Sequence, residues 1–410
     1  MTDLFTQLRD YGRQVESDPM LHAPTPLEED VLTVPRGTRR TSRSWVWGLI
    51  AAAMVLVAFL PLMLGRFVEG PVATTTPATE IKNGWVAFAA DDVPAADLDI
   101  FMVRPGVDPR RLIGSQGDGL DQFCPSFSPD GSKLAYLESD HTGLGPGELG
   151  GSAQIVVVGL DEAAISGELL RTTATWRVCP TWSPDSTQIA YVTANWELTI
   201  GTVGGGFTPL YTMDAGHTGI EWSPDGRFIA VWGFVDHSAP TTGIWLVPVD
   251  GSETKVLATL SEWMPELVGS GDYMDWSPDA SKLAVLGDAI HVIGIDGNTH
   301  LVEGESSPSI SWSPDGDLLA VTKENGVTLL NPDNPEEQRL AFEYPGEVLT
   351  DVGFASWSPD GLSVLVRVSG PETSAIVSVP LDPEAPEIVI HRWSNGTLEI
   401  EEISWQRLND

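Results

Sequence analysis

One five-residue word recurs along this chain and constrains its folding more than any other feature. It reads Phe127-Ser-Pro-Asp-Gly131, Trp182-Ser-Pro-Asp185, Trp222-Ser-Pro-Asp-Gly226, Trp276-Ser-Pro-Asp279, Trp312-Ser-Pro-Asp-Gly316 and Trp357-Ser-Pro-Asp-Gly361. Proline at the second position presets φ near −65°, aspartate suits the third, and glycine accepts the fourth position of a type I turn. A short apolar run follows each copy, at 134–137, 189–192, 228–231, 283–285, 318–321 and 364–366. Strand, tight turn, strand is a hairpin, and the aromatic before the turn is a packing residue between neighbouring sheets. Two half-repeats flank the series: Trp85-Val-Ala-Phe88 has the apolar run alone, and Ile403-Ser-Trp405 has the aromatic strand alone.

Further strand signals recur in each unit, at 99–103, 155–158, 244–247, 291–293, 327–330 and 376–379, with a fourth near 110–113, 209–211, 255–257 and 387–390. Four short strands in units of 36 to 55 residues are the signature of a propeller blade. Seven apolar runs and seven aromatic strands (Phe127, Trp182, Trp222, Trp276, Trp312, Trp357, Trp405) predict an all-β, seven-bladed β-propeller, ahead of six or eight blades. The first blade is expected to take three strands from 85–113 and its innermost strand from 402–406, which removes an exposed edge. The 41 glycines and 31 prolines agree with many turns and few helices. This repeat resembles the WD-like propeller repeats of the TolB family, found also in the propellers of tricorn-type and prolyl-oligopeptidase-type peptidases. The resemblance covers about residues 84–410 and implies a fold, since propellers carry unrelated activities.

Before the repeats, residues 45–65 (WVWGLIAAAMVLVAFLPLMLG) contain no charge. That length crosses a bilayer core of roughly 30 Å as one helix. Trp45 and Trp47 serve as interface anchors, and Arg36, Arg39, Arg40 and Arg43 crowd the N-terminal flank. The excess of basic residues places 1–44 in the cytoplasm and the C-terminal body outside. The expected order is therefore a cytoplasmic segment (1–44), a single transmembrane helix (45–65), a Thr/Pro-rich stalk (66–83) and the propeller (84–410). Leu4, Phe5, Leu8, Tyr11 and Val15 form one helical stripe, so residues 2–16 suit a cytoplasmic partner, the membrane surface or a frayed segment.

Acidic residues number 58 against 22 basic ones, for a net charge of −36, and this excludes nucleic acid as a partner of the bulk protein. Cys124 and Cys179 each stand three residues before the aromatic in consecutive blades. A structural disulfide, two buried thiols, and metal or redox chemistry are the readings this placement leaves open, in that order. Glu221 and Asp275 precede the tryptophan in adjacent blades, where Ser or Thr stands in the others, and Asp214, His217, Asp272 and Tyr273 lie in the preceding loops. Together they form a possible rim site for a divalent ion or acid/base work; the alternative is a solvated acidic rim. No HExxH or GxSxG pattern is present, and no catalytic residue, metal or cofactor is assigned. The peptidases sharing this repeat use an additional catalytic domain, which is not expected here.

Long loops at 89–98, 138–152, 233–242 and 261–274 fall on the rim opposite the Ser-Pro-Asp turns, where binding is expected. The reading is a non-catalytic scaffold, a single-pass protein of a bacterial cell envelope, binding an envelope protein, peptide or glycan through that rim. The second reading is a transmembrane sensor whose layout resembles anti-sigma regulators, although their zinc-type His/Cys motif is missing. A propeller lyase or hydrolase is third.

Overall fold

Seven antiparallel four-stranded sheets carry the repeats. The computed structural model describes residues 81–409 apart from segments 91–96, 115–118, 141–152, 162–163, 176–177, 214–218, 237–240, 262–273, 287–288, 304–308, 324–325, 344–350, 370–372, 383–384, 386 and 395–399. The chain divides into two units, Met1–Thr75 and Thr76–Asp410, and the described residues belong to the second. The expected cytoplasmic segment, transmembrane helix and most of the stalk lie outside the described residues. Among the described residues no helix is long and apolar enough to cross a membrane.

Blades 2 to 7 each use four consecutive strands, ordered from the channel outward. Their inner strands are Leu120–Phe127, Thr181–Trp182, Gly219–Trp222, Met274–Trp276, Ile310–Trp312 and Asp351–Trp357. Blade 1 combines Ile81–Ala90, Asp99–Arg104 and Val107–Ile113 with an inner strand, Ile400–Asn409, from the other end of the repeat array. The register is Val86 opposite Trp405 and Phe88 opposite Ile403. Pairing begins at Ile81 opposite Asn409, so the strand starts three residues before the expected start of the propeller at residue 84.

The burial gradient explains the sequence pattern. The second strand of each blade is sandwiched between neighbouring sheets, so 134–137, 189–192, 229–232 and 283–286 are buried without alternation. Outer strands face solvent, and Phe207–Thr212 has no fully buried residue. The blade tryptophans fill the seams: Trp182 Nε1 donates to the Ser126 carbonyl of the preceding blade at 3.0 Å, and Trp357 Nε1 to that of Ser311 at 2.9 Å.

Each Ser-Pro-Asp turn is braced from within. The serine carbonyl accepts the N–H of the fourth residue at 2.7–2.9 Å in all six copies. The buried serine hydroxyl donates to the aspartate Oδ1 at 2.5–2.7 Å and accepts the backbone N–H five residues on at 2.9–3.0 Å. The same Oδ1 accepts the N–H two residues on at 3.0–3.1 Å. The fourth residue is left-handed every time, with φ from 56° to 81°, including Ser186 and Ala280 where the sequence has no glycine. Ser186 gains something in return, because its Oγ accepts the Asp130 N–H of the preceding blade at 3.0 Å.

Candidate functional site

The turns occupy one rim, so the channel wall upstream of the aromatic ring belongs to the opposite, loop-bearing half. There the inner strands of blades 1 to 4 line a depression of about 190 Å³. Cys124, Cys179, Ser126, Thr181, Glu221 and Ser404 supply its sulfur and polar groups, and Pro125 and Pro180 stiffen it. Cys124 and Cys179 form a disulfide that joins blade 2 to blade 3 with Cα atoms 5.5 Å apart. Cys124 adopts φ 54° where the inner strand bulges between Phe123 and Ser126. That conformation costs an L-residue about 1–2 kcal/mol, and here it is held by a cross-link and by burial to 3% exposure.

At three blades the position before the aromatic has a job that spacing alone did not reveal. Ser404 Oγ accepts the Phe127 N–H of the next blade at 3.0 Å, Thr181 Oγ1 accepts the Trp222 N–H at 3.3 Å, and Asp275 Oδ2 accepts the Trp312 N–H at 2.6 Å. Side-chain oxygens thus tie adjacent inner strands, and Asp275 is the charged version of a Ser/Thr contact. The equivalent Glu221 lines the depression, and its carbonyl accepts Trp276 Nε1 at 3.3 Å. Asp214, His217, Asp272 and Tyr273 lie outside the described residues, as do most residues of the four long loops. Among the described residues no group of three or more His, Cys, Asp or Glu side chains stands ready for a metal ion.

A second polar seam, between blades 1 and 2, was also absent from the sequence reading. Asp97 Oδ2 accepts the Gly119 N–H and Asp121 Oδ1 the Leu98 N–H, both at 2.9 Å. Beside this seam and within blade 1, Asp99, 1% exposed, meets Arg111 Nε of the outer strand at 2.9 Å. Gly114 at φ 93° permits this, since a Cβ there would overlap the Asp99 carboxylate. A pattern of local charge pairs gives no hint of such cross-blade stitches.

On the turn rim, five of the six motif aspartates are held ionised by their surroundings. Burial works to raise the pKa of Asp130, but the Ser128 hydroxyl, the Ser132 N–H and hydroxyl and the Lys133 charge outweigh it and bring the pKa down to about 2. The serine hydroxyls of their own turns lower Asp185, Asp279 and Asp315. At Asp225 burial opposes, and the Arg227 N–H and Ser223 hydroxyl prevail.

No family model matches the chain, and no curated protein matches it. Among solved structures it is similar to prolyl oligopeptidase B from Galerina marginata, with 13% identity over 77% of this chain and 52% of that one and a TM-score of 0.49. The chain thus spans about half of that peptidase. TolB from Acinetobacter baumannii is similar at 14% identity over 78% of this chain and 82% of that one, TM-score 0.45. So is oligogalacturonate lyase from Vibrio parahaemolyticus, at 14% over 76% and 85%, TM-score 0.47. These likenesses extend to chain architecture alone, and the seven-bladed assignment stands on the strand pairing described above.

Proposed function

We propose that this protein is a membrane-anchored, extracytoplasmic scaffold that binds an envelope protein, peptide or glycan at the loop-bearing mouth of its channel. The observation that carries the reading is the character of the mouth between blades 1 and 4. It is concave, cross-linked by Cys124–Cys179 and stiffened by two prolines. The Ser404 and Thr181 hydroxyls there accept structural backbone hydrogen bonds. A preformed concavity with a few fixed polar groups is built to hold a partner in one orientation. A nucleophile would instead need an adjacent base to activate it. In this reading residues 45–65 provide the anchor and the loops at 138–152 and 261–274 supply the specificity.

The test is in-cell crosslinking of tagged full-length protein from photoreactive residues placed in those two loops and, separately, within residues 2–16. Crosslinks from the loops to envelope components support the scaffold. Crosslinks confined to residues 2–16 and a cytoplasmic regulator overturn it in favour of the sensor.

A further inference from the structure

The depression at the channel mouth carries charge of one sign. Among the described residues that line it, Glu221 is the single ionisable side chain, with no lysine, arginine or histidine beside it. Strand alternation explains why this carboxylate reaches the space. In Gly219–Trp222 the other three residues are buried and Glu221 alone is half-buried. The residue before the aromatic is likewise half-buried in five of the other six blades, always on the innermost strand. It is Ser or Thr everywhere except at Glu221 and at Asp275 of the next blade. Both acidic residues are engaged within the protein, Asp275 through the Trp312 N–H at 2.6 Å. A carboxylate offers about four lone-pair sites, so a structural contact leaves Glu221 able to accept further hydrogen bonds.

We propose that this depression is a pocket for one lysine side chain of a protein or peptide partner, with Glu221 holding its ammonium group. Size comes first. At about 190 Å³ the space is smaller than the roughly 300–1,000 Å³ of sites that enclose a whole small molecule, so it suits a single side chain of a docked polymer. The walls come next: Pro125, Pro180, Ile220, Ile403 and the disulfide offer apolar surface to a methylene stem. Lysine buries such a stem while its charged head stays at a polar edge. Its ammonium is a compact point charge, which one carboxylate can hold, whereas the planar fork of arginine is matched by paired acceptors. The Ser404 and Thr181 oxygens accept one backbone N–H each and keep a second lone pair for the ammonium. The net charge of −36 draws basic partners toward the whole body and repels acidic ones. A neutral glycan makes no use of the lone charge. This inference rests on the channel-mouth reading above and narrows its partner to a lysine-bearing polypeptide.

The experiment presents full-length protein in detergent with four sets of heptapeptides, randomised over uncharged residues around a central lysine, Nε-acetyllysine, norleucine or arginine. Physiological salt screens the general attraction of an acidic body. The lysine set should be retained at least about tenfold better than the acetyllysine and norleucine sets, as expected for a hydrogen-bonded charge pair. Glu221→Gln should bring the lysine set down to the acetyllysine level, while Glu253→Gln on the turn rim should leave it unchanged. Thermal melts accompany both variants. The comparison of lysine with acetyllysine needs wild type alone, so it carries the test if Glu221→Gln melts early. Equal retention of those two sets overturns the proposal, as do a preference for arginine and undiminished retention in Glu221→Gln. Binding of a glucosamine oligomer that depends on Glu221, with no selection of lysine peptides, would overturn the assignment to a polypeptide. The in-cell loop crosslinks separate this inference from the reading beneath it. Their absence in wild type strikes the scaffold, whereas crosslinks that persist undiminished in Glu221→Gln strike the lysine pocket and leave the scaffold standing.

Discussion

Replacing Gln406 by alanine should loosen the ring more than any other single polar substitution in blade 1. The side chain is 2% exposed. Its Nε2 donates to the Gly131 carbonyl of the blade 2 turn at 2.7 Å, and its Oε1 accepts the Trp85 N–H at 3.1 Å. One residue thus fastens the inner strand of blade 1 to its own second strand and to the next blade. Gly84 makes room for it, since a Cβ at that position would stand 2.6 Å from Gln406 Oε1. Two hydrogen bonds contribute about 1 kcal/mol each, and stranding a buried donor or acceptor adds about 1–3 kcal/mol. The expected loss is about 3–5 kcal/mol. At ~2.1 cal/mol/K per residue over roughly 330 residues, that lowers Tm by about 4–7 °C. Gln406→Glu should cost a similar amount although it is isosteric, because a carboxylate then faces the Gly131 carbonyl. Scanning calorimetry at fixed scan rate reads the shift. A fall of less than 1 °C in Gln406→Ala, or a Glu variant as stable as wild type, would refute the latch.

Three further outcomes follow from the turns and the cross-link. Gly226→Ala should cost about 1 kcal/mol from its φ of 76° alone, with only ordinary contact to the Pro184 ring, whereas Gly131→Ala drives a Cβ into the Arg407 carbonyl and should cost several times more in urea denaturation. Equal costs would show that strain and overlap had been wrongly separated. Reducing or deleting the Cys124–Cys179 bond, which spans 55 residues, should remove about 4 kcal/mol in the loop-entropy account, measured as a shift in denaturation midpoint. The turn aspartates Asp130, Asp185, Asp225, Asp279 and Asp315 have depressed folded-state pKa values, so their contribution is complete above the unfolded value of 3.8 and fades as pH falls toward about 2, the folded value of Asp130. Melting temperature should therefore drop through that window, and Asp130→Asn should flatten the drop; an unchanged profile would reject the coupling.

The sequence made some of this legible and hid the rest for definable reasons. Six copies of one turn and two flanking half-repeats suffice to count seven blades and to join the 85–88 half-repeat with 402–406, because each strand pair is local except that one. Second strands read clearly since both faces are buried. Outer strands such as Ala164–Ala174 and Gln338–Glu343 escape notice because solvent imposes no apolar period on them. Around the candidate site, spacing brought out Cys124, Cys179, Glu221 and Asp275. It did not reveal that Asp275 serves the Trp312 backbone, because the partner belongs to another blade. Gln406 stood only as the last residue of the expected strand 402–406; the three-dimensional approach of Gly131 and Gly84 exposes its role.

The split origin of blade 1 also dictates an order of events during synthesis. Trp85 and Gln406, 321 positions apart, must meet before the circle is complete. Blades 2 to 7 can each form as their own residues leave the ribosome, since every pairing in them is between successive strands. The strand Ile81–Ala90 emerges earliest of the described strands and waits longest, with its inner edge unpaired until Ile400–Asn409 arrives. Synthesis that outpaces folding leaves that edge open to chaperones, proteases or a second chain for the whole interval. The strand Ile400–Asn409 is thus the one that turns a row of hairpins into a ring.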